Sequence, residues 1–192
     1  KLYYSLKKNN ITSVGVFLPS LKEPKSAKWV QDQISNLSPS CIVNATAFSA
    51  KNKNGVSPLD IGNVPIFQIA LSTNDKKSWE KEDRGLSPTN MAMHVALPEI
   101  DGRIFAGVAS FKKKMPTDFK LQFNEIKHET YKDGISSITQ KVKSWIKLQN
   151  TSLKMKKPAI ILSTYPGKKW QIAHAVGLDT ISSVQEILEY LN

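Results

Sequence analysis

Short runs of β-branched and aromatic residues, broken by prolines and polar turns and spaced by stretches of helical periodicity, constrain this chain more than any other feature. Ile11 to Leu18 (ITSVGVFL) ends at Pro19, and Cys41 to Phe48 (CIVNATAF) runs into a polar loop over 49–63. Val64 to Leu71 (VPIFQIAL) carries its proline near the start, where a missing amide is tolerable. Between the first two runs lies Lys25 to Leu37, with Ala27, Val30, Ile34 and Leu37 on one helical face and Pro39 as its stop. Strand, helix and strand in this order predict an α/β fold: a mostly parallel sheet flanked by helices in Rossmann-like or flavodoxin-like layers.

The rest of the chain continues the pattern less regularly. Asn74 or Asp75 caps a short helix through Lys81, and Ser87 with Pro88 starts another through Met91 and Val95 that ends near Pro98. Pro98 to Gly102 (PEIDG) is a turn, and Arg103 to Phe111 (RIFAGVASF) returns as a strand. Lys112 to Phe123 reads as a basic loop, with a possible sub-boundary near 112–127. His128 to Leu148 carries Tyr131, Ile135, Ile138, Val142, Trp145 and Ile146 at helical spacing, with Trp145 on its core stripe. Pro158 to Ser163 (PAIILS) reads as a final buried strand, 165–177 as a loop and Ser182 to Leu191 as a terminal helix. A length of 192 residues suits a single domain, or one with a small subdomain. Since the chain opens on Lys1 inside an amphipathic run, the expectation is an internal segment of a longer protein.

The formal charge of +11 invites a nucleic-acid reading. Only two of the 27 basic residues are arginine, Arg84 and Arg103, and the charge is spread evenly along the chain, so no nucleic acid is expected as partner. A lysine-rich composition and steering of an anionic ligand both account for the excess. No apolar run approaches the roughly 20 residues of a membrane helix, so no membrane span is expected. The one cysteine, Cys41, has no disulfide partner within the chain, and the first residues lack an apolar leader, which predicts a cytoplasmic location.

Loops at the carboxyl ends of parallel strands are where α/β proteins seat ligands. Asn44 interrupts an apolar strand, Gln68 interrupts another, and each must find hydrogen-bond partners or carry a cost of a few kcal/mol. The richest stretch is His94 followed by Glu99, Ile100, Asp101, Gly102 and Arg103. A helix end, two carboxylates and an arginine within ten positions suit a base, a cation ligand and an anion clamp. Equally, Asp101-Gly102 is a turn and Arg103 the salt-bridge partner of its aspartate. Trp79, Trp145 and Trp170 offer flat faces for stacking. The histidines His94, His128 and His174 form no HxxH or HExxH pattern, and the chain carries no GxGxxG, GxxxxGK[ST] or GxSxG motif.

Leu18-Pro-Ser-Leu-Lys22, Val43-Asn-Ala-Thr-Ala-Phe-Ser49, Val64-Pro-Ile-Phe-Gln68, Arg84-Gly-Leu-Ser-Pro88, Val95-Ala-Leu-Pro-Glu-Ile-Asp-Gly-Arg-Ile104 and Val176-Gly-Leu-Asp-Thr180 stand in that order. Together they resemble the large subunits of aerobic cobaltochelatase (CobN) and magnesium chelatase, from about residue 10 to 191. The resemblance implies a ligase forming nitrogen–metal bonds, in which the large subunit binds a tetrapyrrole and a divalent metal. Separate motor subunits hydrolyse ATP with Mg²⁺. On the cobalt branch, favoured by Phe48-Ser49, Gln68 and Asp-Gly-Arg, the metal is Co²⁺ and the ring a corrin precursor, hydrogenobyrinic acid a,c-diamide; on the other branch magnesium enters protoporphyrin. Partners implied are that ring, the motor subunits and the remainder of the same large subunit. Within this frame Glu99 is the expected base, with Asp101 assisting. Arg103, Asn44, Thr46, Gln68 and Asp179 hold the ring or its loops, and His94 is a transient cobalt ligand. Asp179-Thr180 also reads as a cap on the last helix. Ala173-His174-Ala175 departs from the Gly-Asn-Gly-like stretch of the family, leaving the role of that loop open. A non-catalytic scaffold within such a complex is the alternative.

Overall fold

The computed structural model describes residues 1–83, 85–163, 173 and 177–191. The chain divides into two compact units, Lys1–Asn150 and Thr151–Asn192. In the first, β1 (Ile42–Asn44), β2 (Ile66–Leu71) and β3 (Ile104–Asp118) lie parallel in that order, and β4 (Phe123–Thr130) closes the edge antiparallel to β3. The expected α/β architecture, mostly parallel and flanked by helices, is therefore present.

Alternation along β2 builds the two faces. Phe67 and Ile69 point to one side, where α1 (Leu2–Lys8) and α6 (Lys132–Gln149) bury Leu6, Ile135, Ile138 and Val142 against them and against Ala106 and Ala109 of β3. Ile66 points to the other side, onto Val30 and Ile34 of α2 (Pro24–Leu37) with Leu21, Ala50 and Leu59. Burying several such aliphatic side chains, at about 1.5–3 kcal/mol each, holds both layers on the sheet. Gly134 lets α6 approach β3: a Cβ there would lie 1.9 Å from the Val108 carbonyl oxygen.

Several expectations need correction. Ile11 to Leu18 forms no strand: Val14, Val16 and Phe17 are exposed, because no described strand offers this run a ladder. The same reason applies to Pro158 to Ser163, which pairs with no strand among the described residues, with Ile160, Ile161 and Leu162 exposed in the second unit. The stretch expected as a basic loop, Lys112 to Phe123, is mostly strand, since Lys112↔His128 and Lys113↔Lys127 pair across the β3–β4 hairpin. Alternation in a hairpin needs no apolar content when both faces meet solvent, so lysines hid it. Consequently α6 begins at Lys132 and not at His128. Trp145 is only half covered and meets Phe67 edge-on at 6.0 Å between ring centroids, at the rim of the core.

Past α3 (Lys76–Lys81), which Asp75 caps, the segment after Ser87 also runs further than its prolines suggest. Helix α4 (Pro88–Met91) passes into a π turn over Ala92–Ala96 and then α5 (Leu97–Ile100), so Pro98 lies within helical backbone. Proline lacks the amide and crowds the carbonyl four residues earlier, that of His94. The wider π turn at that point accommodates both defects. In the second unit, α7 (Thr180–Leu191) starts two residues before the expected Ser182.

Candidate functional site

On the sheet face that carries Ile42 and Ile66, the next residues along are Asn44 and Gln68, which sit opposite each other in register. The Asn44 Nδ2 donates to Gln68 Oε1 at 2.7 Å, and Asn44 Oδ1 accepts from the Thr46 amide and hydroxyl at 3.2 and 2.9 Å. The Gln68 Nε2 closes the circuit by donating to the Thr46 carbonyl at 2.9 Å. The structure thus brings Asn44, Thr46 and Gln68 together, and the buried amides are satisfied by one another.

Helices α4 and α5 and the π turn between them lead to the turn at 101–103, closed by Arg103 N–H donating to the Pro98 carbonyl at 3.1 Å with Gly102 at φ +80°. Glu99 is exposed on α5, with no side-chain hydrogen bond or ion pair among the described residues. Asp101 is buried and braces a different loop. Its two oxygens each accept at 2.7 Å, one from the Ser49 hydroxyl and one from the Ala50 amide. Just before that contact, Phe48 holds a left-handed backbone at φ +66° and donates its amide to the Met93 carbonyl at 2.8 Å. A non-glycine residue in that region is strained, and the Asp101 brace and the Met93 contact hold it there.

Arg103 pairs with neither carboxylate of its own turn. Its Nη1 donates to Asp60 Oδ1 at 2.5 Å, and its Nε and Nη2, both buried, have no partner among the described residues. The expectation that Arg103 pairs with Asp101 is corrected: Asp101 is spent on the 49–50 backbone, which leaves the guanidinium to Asp60. His94 is buried in the π turn, and its Nδ1 has no partner among the described residues. Burial pushes its pKa below the ordinary value of 6.5, and the neighbouring His128 charge pushes it the same way. It therefore stands as a neutral imidazole at pH 7, the form a metal ligand requires. Among the described residues no group of three or more His, Cys, Asp or Glu is arranged around a common point.

Asp179 belongs to the second unit, where its carboxylate caps α7 by accepting from the Ser182 amide and hydroxyl at 3.0 and 2.9 Å. Those bonds hold its carboxyl below the usual range. His174 and Trp170 lie outside the described residues, as does Arg84. Trp79 packs against Phe111 and Tyr131, at 5.0 and 5.7 Å between centroids, as part of an aromatic cluster. Asp60 escaped the sequence reading because an acid in a polar loop carries no spacing signal. So did Asn90, fully buried, which accepts from the Thr73 amide and donates to Asn74 and Ser87; its only hint was the Ser-Pro helix start three residues earlier.

A family model described as CobN/Magnesium Chelatase matches residues 1–192. The chain belongs to the CobN/magnesium chelatase family. Relatives in it include the aerobic cobaltochelatase subunit CobN of a Sinorhizobium species, 29% identical over 96% of this chain and 15% of the relative. The CobN of Pseudomonas aeruginosa is also 29% identical, over 92% of this chain and 14% of its own length. The chain thus spans about one seventh of these relatives. The catalytic subunit of cobaltochelatase from Mycobacterium tuberculosis shares the fold, with a TM-score of 0.75 at 22% identity over 99% of this chain and 16% of that one. Among the described residues no helix is long and apolar enough to cross a membrane.

Proposed function

We propose that this chain serves a metal-chelatase large subunit by helping to hold a tetrapyrrole and accepting protons from it as a divalent cation enters, with ATP and Mg²⁺ used by separate motor subunits in the cytoplasm. The observation that carries the reading is Glu99: an exposed carboxylate without a partner among the described residues, next to a turn that hydrogen bonds of Asp101 and the Pro98 carbonyl close, in a chain matched by the family model over its whole length. Insertion removes two pyrrole protons and strips water from the cation, so it needs a base whose oxygens are not already committed. Glu99 meets that condition and Asp101 does not. In this reading Asp101 positions Glu99, and the Asn44–Thr46–Gln68 circuit shapes the adjoining face. Arg103 supplies positive charge toward the ring, His94 offers a neutral nitrogen to the passing cation, and Asp179 orders its own loop. Cobalt into hydrogenobyrinic acid a,c-diamide, on the way to cobalamin, is favoured over magnesium into protoporphyrin by the two CobN relatives and by an imidazole's preference for late first-row metals.

Glu99→Gln in the complete large subunit is the test. Ring binding, read by quenching of tryptophan fluorescence, should stay within about two-fold, while insertion with the motor subunits present should fall by roughly 100-fold or more. Unchanged turnover would remove the role of Glu99. A scaffold reading draws on the saturated bonding of Asn44, Thr46, Gln68 and Asp101, and it predicts that no ring binding depends on this segment.

A further inference from the structure

A cavity of about 140 Å³ lies just past the carboxyl end of β2, walled by Asn74, Trp79, Glu82, Leu86, Ser87 and Pro88. The ends of parallel strands are where α/β proteins seat ligands, and this space is close to the roughly 150 Å³ that takes a benzene ring. Trp79 is anchored by Phe111 and Tyr131 yet stays partly exposed, and Glu82 is exposed with no side-chain partner among the described residues. The cavity is therefore open to solvent. Its polar wall is oriented by a chain of bonds behind it. The Thr73 amide can only donate, so the Asn90 atom that meets it at 3.0 Å is Oδ1. The Nδ2 of that buried side chain then faces Ser87 Oγ at 2.8 Å and Asn74 at 2.6 Å, so the Asn74 atom there is its oxygen, which also accepts from the Ser87 hydroxyl at 3.1 Å. Asn74 Nδ2 is thereby excluded from the network and has no acceptor among the described residues.

From this we infer that the cavity takes one primary carboxamide arm of the substrate ring: the amide oxygen accepts from Asn74 Nδ2, the amide nitrogen donates to Glu82, and the flat group lies against Trp79. The inference rests on the ring-binding reading above and adds which peripheral group enters here. The walls offer one oriented donor and one charged acceptor. A carboxylate arm would meet Glu82 with like charge and nothing to donate, and an ammonium would leave the Asn74 donor unanswered. A primary amide answers both at once. On a ring that carries acid and amide arms together, such a cavity sets which arm enters and with it the orientation of the ring. Of the two rings weighed above, only the corrin precursor carries amide arms, so the same cavity separates them.

The test uses the complete large subunit and two metal-free corrin probes, one with two acetamide arms and one with the same arms as free acids, titrated by tryptophan quenching in about 0.5 M salt to screen distant charges. The wild type should bind the diamide about ten-fold more tightly or better. Asn74→Asp keeps the oxygen that Asn90 and Ser87 hold but removes the free donor, and it should weaken diamide binding by about ten-fold. Glu82→Lys should abolish or reverse the preference. Glu80→Lys makes the same charge change two residues away, outside the cavity, and should leave the ratio within about two-fold of the wild type. Equal binding of both rings by the wild type, or a ratio that Glu82→Lys and Glu80→Lys leave alike, overturns the inference and leaves ring binding intact. Arg84 lies outside the described residues, so Arg84→Ala is a further arm. Selectivity seen only in that variant would mean that the arginine fills the cavity in the native chain, and it overturns the inference too. Binding of neither ring overturns the ring-binding reading, and the inference with it.

Discussion

His94 is a buried imidazole whose folded pKa lies below its ordinary 6.5, and His128, shifted the same way by burial and Lys112, faces it electrostatically. As pH falls, the unfolded chain takes up protons first, so the stability these groups contribute is complete above about pH 6.5 and is lost below it. Denaturant unfolding should therefore show stability dropping between pH 7 and pH 5, with a smaller drop in His94→Gln. An identical slope in the variant would assign the effect to other groups. Gly134 is the opposite kind of residue, valued for what it lacks. With a Cβ 1.9 Å from Val108 O and 2.6 Å from the Tyr131 ring, Gly134→Ala must push α6 off β3. The cost should be about 1–3 kcal/mol, seen as a lower melting temperature with helix content retained, and a variant as stable as the wild type would contradict this packing.

At the scale of elements, the decisive contact is the one between the α5 turn and the loop after β1. Asp101 accepts from the Ser49 hydroxyl and the Ala50 amide, which holds the strained Phe48 beside Met93. Asp101→Asn keeps the shape but turns an amide N–H toward one of those donors, and hydrogen bonds to a charged group are worth about 1.5–3 kcal/mol. The variant should be destabilised by that order and cut faster by protease within 49–63; unchanged cleavage would mean the loop is held by other contacts. The turn itself was legible, because Pro-Glu-Ile-Asp-Gly allows little else, and Ser87-Pro88 marked the helix start. The continuation of helix through Pro98 was not, since a π turn has no sequence signature: it results from His94 C=O yielding to the proline ring.

Across the molecule, the sequence by itself determined the α/β class, the mostly parallel character of the sheet, the α2 and α6 faces and the family, because apolar periodicity and local turn chemistry act over a few residues. It also marked Asn44 and Gln68 as polar intruders, since an amide in an apolar run demands a partner wherever it folds. Tertiary structure alone decided the rest. Ile11 to Leu18 and Pro158 to Ser163 have strand composition but no ladder among the described residues, because pairing is a property of two segments and not of one. The lysine-rich 112–118 run is strand because β4 offers it one. Asp101 and Arg103, two positions apart, part company to partners 51 and 43 residues away, since direction in space and not spacing in the chain chooses a hydrogen bond. That choice occupies Asp101, gives the arginine to Asp60 and leaves Glu99 exposed with no partner among the described residues.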